Sequence, residues 1–157
     1  MTGKAKKVKG SGGELEVITI LYNWVNEVRS HHGLPPLPKD DTSIHRNYNQ
    51  SAQGGSDISN QLGLCIEVKR HENLSINTWW SQVTTAAEKE GGIPILMFRQ
   101  NRKKWRIVMN TFCIIPRSLG PKGIEVRSEI SLDDFEYWFK ETYMLTLLTE
   151  LNGRAEH

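Results

Sequence analysis

The stretch DISNQLGLCIEVKR, residues 57–70, constrains the fold of this chain more than any other. An acid leads into a glycine turn, then an apolar run, then a cluster of charges. Leu64, Ile66 and Val68 alternate with Glu67 and Lys69, so a strand here carries apolar residues on one face and charges on the other. Two arrangements satisfy that pattern. Either the strand lies at a solvated sheet edge, or its charged face builds a chemical site, such as a metal centre with a helper lysine.

The rest of the chain narrows the choice. A length of 157 residues predicts one domain, large enough to bury roughly 70% of its unfolded surface. With 38% hydrophobic and 24% charged residues, the composition is that of an ordinary globular protein. No apolar run approaches the roughly 20 residues that span a bilayer, and the N-terminus lacks the apolar core of a signal peptide. A cytoplasmic protein with no membrane partner is the expectation. The two cysteines, Cys65 and Cys113, have neither metal-ligand spacing nor a disulfide-rich context. Nor do the histidines show the paired spacing of a zinc site.

The net charge is only +2, yet the charges are unevenly spread. Lys4, Lys6, Lys7 and Lys9 crowd the N-terminus, and RQNRKKWR (99–106) gathers cations around Trp105. Acids collect near the C-terminus at Asp133, Asp134, Glu136 and Glu141. Such asymmetry gives one face a positive potential.

Periodicity outlines the elements. Residues 1–12 are rich in Lys, Gly and Ser and read as a basic flexible arm ahead of a single domain, 13–157. From Gly13, the spacing of Val17, Ile18, Leu21, Trp24, Val25 and Val28 predicts a helix ending near Gly33. A short strand is expected around 44–47. A hairpin-like pair follows at about 56–60 and 63–69, turning at 61–63. Ser75 is placed to open a helix with Ile76, Trp80, Val83 and Ala87 on its core face, and Gly91–Gly92 to stop it. IPILMFR and WRIVMNTFCII read as two strands joined by the basic turn. Ser131, with Asp134 three residues later, opens a last helix. This order describes a mixed α/β domain with a core over 13–116 and an extension over 117–157.

Asp57 and Glu67 fall on adjoining strands of the predicted hairpin. Antiparallel neighbours run about 4.7–4.9 Å apart, close enough for the two carboxylates to share a small hard cation. Magnesium suits that donor set, because it takes oxygen ligands and keeps several waters. The carbonyl of Val68 adds a further oxygen. Lys69 shares the Glu67 face and is placed to orient a water or neutralise a phosphate rather than act as a base, since two nearby carboxylates hold its proton on.

GGSDI followed by IEVKR resembles the split acid and E-x-K of the PD-(D/E)XK nuclease superfamily, with Ser56 standing where the pattern has proline. KGSGGELEVITIL resembles the first helix of archaeal-type Holliday-junction resolvases and related phage nucleases, whose helix-borne glutamate corresponds best to Glu14, with Glu16 second. HRNYNQSAQGGSDI, IEVKR, WWSQ and PILMFRQNRKKWRIVM extend the likeness over roughly residues 9–110. The resemblance implies a restriction-endonuclease-like fold, a mixed β-sheet core flanked by helices, here with an extra C-terminal helix. It implies a Mg²⁺-dependent structure-selective DNA endonuclease, Mn²⁺ substituting, with Glu14, Asp57, Glu67, Lys69 and Gln82 as catalytic residues. Asp57, Glu67 and Val68 would bind the metal. Lys7, Lys9, Arg46, Arg70, Arg99, Arg102, Lys103 and Lys104 would contact DNA. A four-way junction has near-two-fold symmetry, so its resolution implies a homodimer. A phage-encoded enzyme of this kind would work in the host cytoplasm. Action on flaps, branched or linear DNA, and a DNA-binding module with a decayed site, are the alternatives.

Overall fold

In the computed structural model the described residues are 3–48, 55–114 and 123–155, with 3–11 and 114 described by backbone only. Helix α1 (Gly3–His31) leads into a six-stranded sheet. The strands are β1 (His45–Arg46), β2 (Ile58–Ser59), β3 (Leu64–Arg70), β4 (Ile93–Arg99), β5 (Arg106–Ile114) and β6 (Gly123–Ser131), and they lie in chain order across the sheet. Helix α2 (Ile76–Glu90) joins β3 to β4, and α3 (Leu132–Ala155) follows β6. All neighbouring strands are antiparallel except β3 and β4, which are parallel. A parallel pair needs a crossover, and α2 is that crossover.

The two sheet faces have different cover. Ile66, Val68, Ile95, Met97, Ile107 and Met109 pack with Val17, Leu21 and Trp24 of α1 and Phe135 and Phe139 of α3. Cys65, Leu96, Phe98 and Val108 pack with Trp79, Val83, Ala86 and Ala87 of α2. Strands covered on both faces read as near-continuous apolar runs, which is what IPILMFR shows. Strand β3 is therefore an inner strand, and Glu67 is only 6% exposed within it. That removes the solvated-edge reading of the alternating charges. The arrangement is the restriction-endonuclease-like one expected, with its additional C-terminal helix. Among the described residues, no helix is long and apolar enough to cross a membrane.

Three expectations shift. Helix α1 begins at Gly3, not Gly13, so from Gly3 on the expected flexible arm forms its first turns. Extending a helix from an anchored segment is far easier than nucleating one, and Ala and Lys favour it. Trp79 rather than Trp80 is the buried tryptophan of α2, at 7% exposure, its ring tilted against Phe98 (centroids 5.9 Å apart) and His71 (5.4 Å). Strand β6 was not anticipated, although Ile124, Val126, Ser128 and Ile130 alternate with Glu125, Arg127 and Glu129.

Local signals explain the ends of the elements. Gly91 takes the left-handed conformation (φ 73°) and its N–H bonds Ala87 O at 2.8 Å, closing α2. Ser131 Oγ accepts the Asp134 N–H at 3.1 Å and so caps α3. Ser75 makes no such side-chain cap on α2.

The aromatic contacts of α3 hold it to α1. Phe135 is fully buried, with ring centroids 5.9 Å from Trp24 and 5.8 Å from Trp138. Replacing Phe135 with alanine should cost about 3–5 kcal/mol, the usual penalty for deleting a buried aromatic ring. Urea denaturation of the two proteins measures it, and a loss below about 1 kcal/mol would mean that α3 is not part of the cooperative core.

Candidate active site

The hairpin between β2 and β3 brings Asp57 to Glu67. Asn60 organises the turn, its Oδ1 accepting the N–H groups of Leu62 (3.0 Å) and Leu64 (3.3 Å) and its Nδ2 donating to Leu64 O (2.8 Å). Gly63 supplies the left-handed residue there (φ 72°). The Asp57 backbone is held on both sides: its N–H donates to Ile66 O at 2.9 Å, and its carbonyl accepts the Asn47 N–H at 2.9 Å. Its Oδ2 accepts the Val68 N–H at 2.7 Å. Within a strand the N–H and C=O of one residue point to the same side, so the Val68 carbonyl also faces Asp57.

Glu67 and Lys69 project from β3 on the α2 side, two residues apart and therefore on one face. Lys69 Nζ lies 2.6 Å from Glu67 Oε1, with the carboxylate side chain 7% and the lysine side chain 21% exposed. Burial, and then the charge of Glu67, push the Asp57 carboxyl up to about 7, while the Val68 N–H and Lys69 pull the other way. Glu14 adds to the upward push, so the helix acid sits within electrostatic reach of Asp57.

The remaining expected residues divide by location. Glu14 pairs with Arg46 of β1, and the Arg46 guanidinium lies 5.5 Å from the Tyr48 ring centroid. Residues two apart on a helix diverge by about 200°, and Glu16 accordingly points elsewhere. It binds Arg70 at 3.1 Å and Arg99 at 2.8 Å. Arg99 also lies 5.3 Å from the ring centroid of the buried Trp105. Arg70 packs beside Gly13 of α1, on the sheet face away from Lys69. Arg70 and Arg99 thus belong to an ion-pair cluster with Glu16 that fastens α1 to the sheet. Arg102, Lys103 and Lys104 are exposed on the β4–β5 turn. Since Arg70 is in register with Arg99, that turn lies at the C-terminal end of β3, the end that carries Lys69. Gln82 is exposed on α2, and among the described residues nothing draws it into the carboxylate cluster. The side chains of Lys7 and Lys9 lie outside the described residues.

Sequence reading missed three residues that brace the site: Asn47, Ser56 and Glu90. Asn47 Nδ2 donates to Ser56 O at 3.0 Å. Glu90, at the last turn of α2, accepts the Ser56 N–H at 2.7 Å and the Ser56 hydroxyl at 3.0 Å. The Gly-Gly approach to Asp57 was the only local trace of this close packing. Burial and then Glu90 also push the Cys65 thiol up to about 12, which leaves it unreactive.

Two buried carboxylates, Asp57 just before β2 and Glu67 within the inner strand β3, thus meet with the Lys69 ammonium beside Glu67. Residues 5–152 match the family model described as "Phage putative PDDEXK endonuclease", and the chain belongs to that family. Among solved structures it is similar to the Holliday junction resolvase of the archaeal hyperthermophile Archaeoglobus fulgidus. That likeness has 19% identity and a TM-score of 0.37, and covers 61% of this chain and 85% of the other. No curated protein matches the chain.

Among the described residues no group of three or more His, Cys, Asp or Glu side chains converges to hold a metal by itself. The donor set present nevertheless fits magnesium, which is content with one or two carboxylates and several waters. Burial and then the Glu67 charge raise the cost of ionising Asp57, and the Lys69 ammonium, 2.6 Å from Glu67, works against that cost.

Proposed function

We propose that the chain is a Mg²⁺-dependent endodeoxyribonuclease selective for DNA structure, with the four-way junction as its substrate. The observation that carries this reading is the buried Asp57–Glu67 pair on an inner hairpin, with Lys69 2.6 Å from Glu67. Asp57, Glu67 and the Val68 carbonyl would hold the ion, which when bound polarises the phosphate and acidifies water. Lys69, 2.6 Å from Glu67, would offset the negative charge that builds on the phosphate during attack. Glu14, held by Arg46, orients groups on the α1 side of Asp57. Manganese, with the same oxygen preference, would substitute for magnesium.

DNA reaches the site across the C-terminal end of β3, where the exposed Arg102, Lys103 and Lys104 meet the phosphate backbone. Replacing these three by alanine should weaken binding and flatten the fall of log K with log salt by about two to three units. Fluorescence anisotropy over a salt series measures the slope, and an unchanged slope would place the DNA path elsewhere.

Paired cuts in a junction call for two sites, hence a homodimer. Helix α3 has apolar material for such an interface on its outer side, where Tyr137 is 72% and Leu145 62% exposed, with Leu148 and Leu151 alongside. The deciding experiment offers labelled four-way junction, flap and linear duplex to the protein with and without Mg²⁺, alongside its mass by light scattering. Mg²⁺-dependent symmetric nicking of the junction by a dimer is the expected result. Cleavage of flaps or duplex by a monomer would favour a degradative nuclease, and binding without cleavage a decayed site.

A further inference from the structure

The structure assigns Glu90 a role outside the carboxylate cluster itself: we propose that it is a positioning residue for Asp57, bracing the acid through Ser56. Ser56 directly precedes Asp57 and is 3% exposed. Both of its donors reach one carboxylate, the N–H Glu90 Oε1 at 2.7 Å and the hydroxyl Glu90 Oε2 at 3.0 Å, with the Ile58 carbonyl a longer alternative acceptor for the hydroxyl at 3.4 Å. On the other side Asn47 takes the Ser56 carbonyl through Nδ2 (3.0 Å) and the Asp57 carbonyl through its N–H (2.9 Å). The peptide units flanking Ser56 are thereby fixed from α2 and from the β1 side together. Only the carboxylate of Asp57 is left to be set, and the Val68 N–H sets it.

The same brace explains two features of GGSDI. A Cβ on Gly55 would stand 2.5 Å from Glu90 Oε1 and 3.1 Å from Asn47 Nδ2, so Glu90 approaches the backbone only because residue 55 is glycine. The related motif has proline before the acid, which fixes φ and has no N–H to satisfy. Ser56 brings both a buried N–H and a looser φ, and the Glu90 carboxylate answers both. A buried N–H left without a partner is costly, so the pairing is required and not incidental. Outer residues of this kind set the aim of metal-binding and catalytic groups.

The proposal deepens the metal-site reading above, and its test separates the two. Wild type, Glu90→Ala, Glu90→Gln and Gly55→Ala are compared as full chains. Gly55→Ala breaks the brace from the opposite side, displacing the side-chain ends of Glu90 and, by less, Asn47, with no backbone atom in the way. Mn²⁺ affinity is measured by calorimetry, kcat and KM on cleaved DNA, and amide hydrogen exchange at Ser56 and Asp57 without metal. Glu90→Ala and Gly55→Ala should lose about 10–100-fold in Mn²⁺ affinity and in kcat, with KM for DNA unchanged and faster exchange at Ser56. Glu90→Gln should stay near wild type in all three, because its amide oxygen still accepts the Ser56 N–H. Wild-type Mn²⁺ affinity and slow Ser56 exchange in Glu90→Ala would overturn the proposal, as would a glutamine variant as impaired as alanine. If wild type neither binds Mn²⁺ nor cuts DNA, the metal reading fails. The exchange data then decide alone: protection lost in alanine and kept in glutamine supports the brace, and no change overturns it.

Discussion

Asp57→Asn and Glu67→Gln are each expected to lower DNA cleavage by about 10³-fold, the scale of removing a group that stabilises transition-state charge. Each change keeps the side-chain volume and deletes one negative charge. DNA binding should therefore hold or tighten slightly, because a carboxylate that repels phosphate is gone. The amide oxygen of the substituted asparagine can still accept the Val68 N–H that Asp57 accepts at 2.7 Å, so the hairpin keeps its geometry. Single-turnover cleavage and anisotropy on the same preparations separate chemistry from binding. Cleavage within about tenfold of wild type in either variant would remove that carboxylate from the site.

The same Asp57→Asn change should raise the stability of the metal-free protein. The Asp57 carboxyl sits near 3.8 in an unfolded chain and is pushed up to about 7 in the fold, by burial first and by Glu67 second. A raised folded pKa means that the folded state holds the proton more tightly. Its stabilising effect is complete below about pH 4, falls as pH rises through 7, and is then gone. At about 1.4 kcal/mol per pH unit, the ionised acid costs the fold as much as about 4 kcal/mol at pH 8. Asparagine carries no charge at any pH and its amide N–H groups suit a neighbouring carboxylate. The variant should thus be more stable than wild type at pH 8 by about 2–4 kcal/mol, the gap closing toward pH 4. Such a gap sets function against stability at one carboxylate, as happens wherever a site stores like charges for a ligand to relieve. Urea denaturation in the presence of a chelator, from pH 5 to 8, gives the curve. A gap that is constant with pH, or that favours wild type at pH 8, would show that Asp57 is not a destabilised ionised group.

Much of this was legible in the chain. The alternation of Ile66, Glu67, Val68 and Lys69 located the strand and the side on which the charges lie. The 3.6-residue stripe of Val17, Leu21 and Trp24 located the core face of α1. What stayed hidden depends on distant partners. Glu14 and Glu16 look alike in sequence, and only the fold shows that one meets Arg46 and the other Arg70 and Arg99. Glu90 reads as an ordinary last-turn acid, because the residue it braces is Ser56, brought to it by the packing of α2 on the sheet. The tryptophan exchange in α2 has a local cause. Trp79 and Trp80 both fit a helical stripe, and the packing of Trp79 on Phe98 decides between them. Strand β6 had a period-two signal but lay in a segment whose charged residues masked it.

The claim at the centre of this account is that Asp57 and Glu67 together form a divalent-metal site. Calorimetric titration of Mn²⁺ into metal-free wild type, Asp57→Asn and Glu67→Gln tests it most directly. The account predicts saturable binding by wild type that is lost in both variants. Equal binding by all three proteins, or none by wild type with DNA present, would contradict it.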